Sequence, residues 1–240
     1  MTLQAISKGF EYYKKCGLRF SIKTFPLILL YGFIASIGST NYSEGISYQD
    51  SFFFLINGFL VTPFIIIFSI YLANDLIENK NRDILVYYVD SWRFLIKVLI
   101  LWLVTTLTLL TVIIISIQNV FLLILGTALT IFLFVKFLYV NYFAILEDKS
   151  ILNSLKLSWR ISDKNYLQNF YMASFYLYIL ILSVVVLYFL ATNYIDTNQV
   201  PRSISFVINS LAIYIQACLI SFPILVFYKN QSLDEIKDSI

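Results

Sequence analysis

Six apolar runs, at about 22 to 38, 52 to 74, 94 to 117, 119 to 141, 167 to 191 and 204 to 228, leave this chain few ways to fold. Each holds few or no charges and approaches the roughly 20 helical residues that cross a hydrocarbon core of about 30 Å. The expected fold class is all-α, a polytopic membrane protein of six transmembrane helices with amphipathic interfacial helices on the cytoplasmic side. One membrane domain covers residues 1 to 240. The first run is the weakest because Lys23 and Pro26 sit near its start, and Gln118 with Asn119 forms the only turn between the third and fourth.

Composition supports this. Of 240 residues 60% are apolar and 13% charged, against roughly 45 to 50% and about 25% in soluble domains. Aromatic residues reach 18% and suit helix packing and the two membrane interfaces. Six spans take about 120 residues, which leaves no room for a soluble catalytic domain. Met1 to Lys23 lacks the short apolar core and small-residue cleavage site of a removable signal peptide, so the first span is expected to serve as its own insertion signal.

Orientation follows from the basic residues, which are retained in the cytoplasm near span ends. Lys8, Lys14, Lys15, Arg19 and Lys23 precede the first span, and Lys80, Arg82, Arg93 and Lys97 lie in or near the second loop. Lys149, Lys156, Arg160 and Lys164 lie in the fourth loop, Lys136 near the same end of span four, and Lys229 and Lys237 in the tail. Only Arg202 falls on the other side, with Glu44, Asp50 and Asp196. Both termini are therefore expected in the cytoplasm of a bacterial cell, around its inner membrane.

The chain has no His, so the commonest general base and nitrogen metal ligand are missing. Cys16 and Cys218 fall at different depths and read as free thiols. Asp75, Glu78, Asp83, Asp90, Glu147 and Asp148 mostly have basic neighbours and show no hydrolase or phosphotransferase spacing; they read as solvated, capping or ion-paired. Without a Gly-rich phosphate loop or nucleophile elbow, no catalytic residue, cofactor or metal is expected and the chain reads as no enzyme.

The internal loops are patterned. Lys149, Asn153, Lys156 and Arg160 recur at helical spacing, while Ile151, Leu152, Leu155 and Trp159 gather on another face. This predicts an amphipathic helix with its apolar side in the cytoplasmic interface, its basic side on lipid phosphates, and Ser162 or Asp163 capping the fifth span. Similar faces run through Leu3, Ile6, Phe10 and Tyr13 and through Ile84, Leu85, Tyr88 and Trp92. Ser-Trp-Arg occurs at 91 to 93 and at 158 to 160. These features suggest three copies of an interfacial helix followed by a two-span hairpin, starting near residues 1, 78 and 147, although interfaces select Trp and Arg in any case.

The segment YFAILEDKSILNSLKLSWRISDKNYLQNF, from Tyr142 to Phe170, resembles the most recognisable part of the YciC-like family of bacterial inner-membrane proteins. The shared pattern is a span ending in Glu147, Asp148 and Lys149, an apolar and basic helix with Ser158 and Trp159 near its end, and a further span. The resemblance implies an envelope-associated protein of the cytoplasmic membrane and supplies no catalytic residues.

Two sets of candidate site residues remain. Lys149, Lys156, Trp159, Arg160, Arg93 and Lys97 form a basic collar suited to anionic lipid headgroups. Asn57, Pro63, Lys136, Asn209, Gln216 and Pro223 are the polar or helix-perturbing residues inside spans. Lys136 lies within reach of the interface and is expected to snorkel, and the amides are expected to bond between helices. The leading expectation is a non-enzymatic scaffold or lipid-organising component of the envelope. A small-solute transporter or channel with a site near Asn57, Pro63, Gln216 and Pro223 is the alternative, and a membrane subunit bound to a protein partner is a third. Lipids are the expected partners, and nucleic acid is not.

Overall fold

Short polar side chains mark where three of the helices begin. Asp83 accepts a hydrogen bond from the Leu85 amide, Asn119 from Phe121 and Ser150 from Asn153, each satisfying a free N–H of a first turn. In this computed structural model residues 2–37, 52–53, 55–117, 119–192, 202–216 and 220–237 are described. Gly38 to Asp50, Gln118, Asp196 and Cys218 lie outside the described residues, so the expectations resting on them stay as sequence readings.

The helices are α1 (Thr2–Ile37), α2 (Thr62–Ile77), α3 (Ile84–Ser116), α4 (Val120–Phe137), α5 (Val140–Leu146), α6 (Ile151–Lys164), α7 (Tyr166–Thr192), α8 (Arg202–Tyr214) and α9 (Ile220–Lys237). Among the described residues there is no strand. Among the described residues four helices are long and apolar enough to cross a membrane: Thr2–Ile37, Asn57–Ile77, Ile84–Ser116 and Val120–Leu146; Ser203–Tyr214 is shorter and apolar.

Several expected boundaries move. The interfacial segments and the first and third spans form single helices, α1 of 36 and α3 of 33 residues. At 1.5 Å per residue these are roughly 50 Å long, so each has length to extend beyond a bilayer core. Pro26 lies inside α1 without ending it. The run at 119 to 141 divides at Leu138 and Tyr139 into α4 and α5, and the last run divides between α8 and α9.

A π-helical turn, Asn57–Val61, leads into α2, with the Thr62 amide bonded to the Asn57 carbonyl five residues back and the Thr62 hydroxyl to the same oxygen at 2.8 Å. Pro63 follows at the start of α2, directly after the π-helical turn. At the other end Asn79 is left-handed (φ 56°), its amide bonds the Leu76 carbonyl, and the Lys80 amide bonds Asp75 at 2.7 Å. This double reach-back terminates the helix and turns the chain towards α3.

The core is built by α1, α2, α5, α9 and the first half of α3, with Phe20, Ile67, Phe68, Leu72, Phe143 and Phe222 fully or almost fully buried. Close approach of α1 to α9 depends on Gly9, where an added Cβ would stand 2.5 Å from the Pro223 Cα. Pro223 thus serves helix contact.

Candidate functional site

The charged side chains meet at one end of the bundle. The Asp75 carboxylate, almost fully buried at the end of α2, accepts from Arg82 Nε at 2.9 Å and from the Tyr87 hydroxyl at 3.0 Å. Arg82 also faces Asp90 at 3.8 Å, and Lys23 of α1 donates to the Arg82 carbonyl at 3.0 Å with its ammonium over the Tyr87 ring. Asp75 Oδ1 has no partner among the described residues. This buried knot ties α1, α2 and α3 together.

Two matching turns flank it. In one, Glu78 pairs with Lys80 and with Lys229 of α9, each at 2.6 Å. Burial pushes the Glu78 carboxyl up, yet Lys229 and Lys80 outweigh it and hold the group below its ordinary 4.5. In the other, Glu147 accepts from the Tyr228 hydroxyl of α9 and faces Lys149 at 3.8 Å. Asn79 and Asp148 are the two described residues other than glycine with positive φ, at 56° and 49°. Asp148 takes Lys97 at 2.6 Å and Arg93 at 3.0 Å, and the Lys97 hydrogen bond, working against slight desolvation, holds it below its ordinary 3.8.

After each turn comes a capped helix, and then the same four-residue surface. Ser91, Trp92, Arg93 and Phe94 on α3 correspond to Ser158, Trp159, Arg160 and Ile161 on α6: the serine is buried, Trp and Arg are exposed, and the fourth residue is buried. A third instance, Gly17, Leu18, Arg19 and Phe20 on α1, has the same burial pattern. Sequence reading placed a copy near residue 1 but missed this motif, because Gly and Leu stand where Ser and Trp recur. The signal was the spacing from Arg19 to buried Phe20 and small Gly17.

The packing of α6 adds a third face to the two expected ones. Its buried stripe is Ser154, Ser158, Ile161 and Ser162, while Leu152 and Trp159 are 69% and 40% exposed. The serines are inside because the last carbonyls of α4 accept from them: Ser158 Oγ donates to Lys136 O at 2.6 Å and Ser162 Oγ to Val135 O at 3.0 Å. Ser162 therefore does not cap α7, and neither does Asp163, which takes Lys136.

Lys136 is fully buried, so its expected escape to open water does not occur. Its ammonium meets Asp163 and lies over Phe132 and Trp159, each at 5.1 Å, and Tyr166 at 5.8 Å. Three ring faces and one carboxylate replace hydration. Trp159 thereby joins the cage, and Arg93 and Lys97 are engaged by Asp148. Lys156 and Arg160 lie on the exposed surface of α6.

The intramembrane candidates do not converge. Asn57 Nδ2 reaches the Tyr31 carbonyl of α1 at 3.4 Å, whereas Asn209 bonds within its own helix to Ser205 O at 2.8 Å. Of these residues Gln216 alone lines a cavity of about 260 Å³ that lies among α2, α3, α4, α5, α7 and α9, with Asn141, Tyr142 and Tyr176 around it. Asn57, Pro63 and Pro223 are not in its wall. Compared with family models, curated proteins and solved structures, the chain matches none.

Proposed function

We propose that this chain is a six-span protein of the bacterial inner membrane with both ends cytoplasmic, and that it acts as a non-enzymatic scaffold organising anionic lipid around a basic collar. The observation that carries the reading is the threefold pairing of an exposed arginine with an exposed bulky apolar neighbour: Arg19 with Leu18, Arg93 with Trp92, Arg160 with Trp159. Such pairs suit the headgroup boundary, where the apolar side chain enters the acyl region and the guanidinium meets phosphate. Each basic residue beside an anionic leaflet contributes about 1 kcal/mol. The likeness of residues 142 to 170 to the YciC-like proteins agrees with this setting.

Native mass spectrometry of the protein from mild detergent tests the collar. Phosphatidylglycerol is retained over phosphatidylethanolamine, and the combined change Arg19→Gln, Arg160→Gln, Lys149→Gln and Lys156→Gln lowers that preference; unchanged selectivity overturns the reading. Orientation is tested with Ser43→Cys, Gln118→Cys and Thr197→Cys in a background without Cys16 and Cys218. Each is labelled by an impermeant thiol reagent from the periplasmic side only.

A further inference from the structure

The cavity around Gln216 has a chemistry the collar does not use. None of its sixteen lining residues is Asp, Glu, Lys or Arg, although four of the six helices around it carry charged residues elsewhere. Its wall instead combines apolar side chains and ring faces, such as Ile66 and Trp102, with the amides of Asn141 and Gln216 and the hydroxyls of Tyr142 and Tyr176. Those amides and hydroxyls make no hydrogen bond to another described residue, whereas most polar side chains inside such bundles find a partner. The two tyrosines are also held in place. Tyr142 stacks on Tyr228 with ring centroids 5.4 Å apart, and Tyr176 on Phe134 at 5.4 Å and 17°. Fixed rings hold their hydroxyls at set positions before any ligand arrives.

We infer that this cavity is a binding site for a neutral amphiphile, a molecule with an uncharged hydroxyl, ester or amide head and an apolar body. The amides and phenols supply both donors and acceptors for the head, while the aliphatic and aromatic wall takes the body. An ion is disfavoured, since a buried charge without a counter-charge is costly to desolvate.

Trp102 lies in the wall and gives a direct readout. With Trp92→Phe and Trp159→Phe it becomes the only tryptophan of the chain. In nanodiscs of phosphatidylglycerol and phosphatidylethanolamine, its fluorescence is titrated with a brominated monoacylglycerol and, separately, with the corresponding brominated fatty acid in ionised form. Saturable quenching by the monoacylglycerol at a lower mole fraction than by the acid is expected. Asn141→Leu and Gln216→Leu each weaken it about three- to tenfold, the loss of one hydrogen bond to the head. Quenching that rises without saturation, equal binding of the acid, or indifference to both substitutions in folded protein overturns the assignment. Should either variant misfold, the comparison of monoacylglycerol with acid on the Trp102 protein decides alone. Phosphatidylglycerol selectivity is read on Asn141→Leu and Gln216→Leu with all three tryptophans in place: loss of this site leaves that selectivity unchanged, and loss of the collar charges leaves the quenching.

Discussion

In the window of highest hydropathy, the helix Asn57–Ile77 is 67% buried inside the protein, whereas the more apolar helix Ile84–Ser116 is only 11% buried and its neighbour Val120–Leu146 17%. A soluble protein would reverse this order, because water drives its most apolar helix inward. Lipid tails are as apolar as leucine, so that drive is absent between helices in a membrane. What then decides burial is where polar groups find partners. The helix containing α2 carries Asn57, bonded to Tyr31 of α1, and Asp75, bonded to Arg82 and Tyr87, and goes inside; the second half of α3 and the first half of α4 carry little beyond aliphatic residues and threonines bonded to their own backbone, and they face outward. Ser116 and Gly126, small residues in contact, join those two halves.

The contrast is sharpest under truncation. Phe68→Ala removes a ring with no exposed surface and is expected to destabilise by about 3 to 5 kcal/mol, whereas Leu107→Ala on the outer face of α3 changes stability by less than about 1 kcal/mol. Unfolding in mixed micelles measures both, and equal losses would break the comparison. Next in size is Leu107→Arg, which at mid-helix opposes membrane insertion by about 3 kcal/mol; full insertion would mean that this face does not meet lipid.

Arg82→Leu strips the charged partner from buried Asp75. Because the Arg82 side chain is 42% exposed, the loss is expected near 2 kcal/mol, below the roughly 3 to 5 of a fully buried pair. Adding Asp75→Asn should recover part of it, since the remaining group is then neutral. A smaller effect, about 1 kcal/mol, is expected from Ser158→Ala, which takes the donor from the Lys136 carbonyl at the end of α4. Smallest is the acid response of Glu78 and Asp148. Both are held below their ordinary values of 4.5 and 3.8, so their contribution is full above those values and is lost as pH falls through the lower, folded-state values. Asp148→Asn should remove part of the stability decline below pH 4, which thermal unfolding between pH 3 and 6 reads.

Individual residues differ in how far the chain reveals them. Asn119 was visible as a turn residue and caps α4, because a cap depends on two or three neighbours in sequence. Ser-Trp-Arg was visible twice; its counterpart at Gly17 to Arg19 was not, since the equivalence lies in burial and exposure and only partly in residue type. Lys136 looked like a snorkelling lysine because the distance to the helix end allowed it. Its aromatic cage draws on Phe132, Trp159 and Tyr166 from three helices, a meeting that no local pattern reports. Asn141 and Tyr176 drew no notice as a site because each sits in a run that reads as ordinary span, and Tyr142 lies directly beyond one.

The amino-acid sequence alone determined the class of protein, an apolar helical chain with its positive charge gathered at recurring segments, since hydropathy and charge are properties of single residues and their spacing. Tertiary structure decided which apolar helix lies inside, which carboxylate each cation meets, and which polar groups stay unpaired around a cavity. Those outcomes depend on contacts between residues far apart in the chain, as when Tyr228 and Lys229 reach Glu147 and Glu78, and in lipid such polar contacts rank the alternatives that hydrophobicity leaves nearly equal.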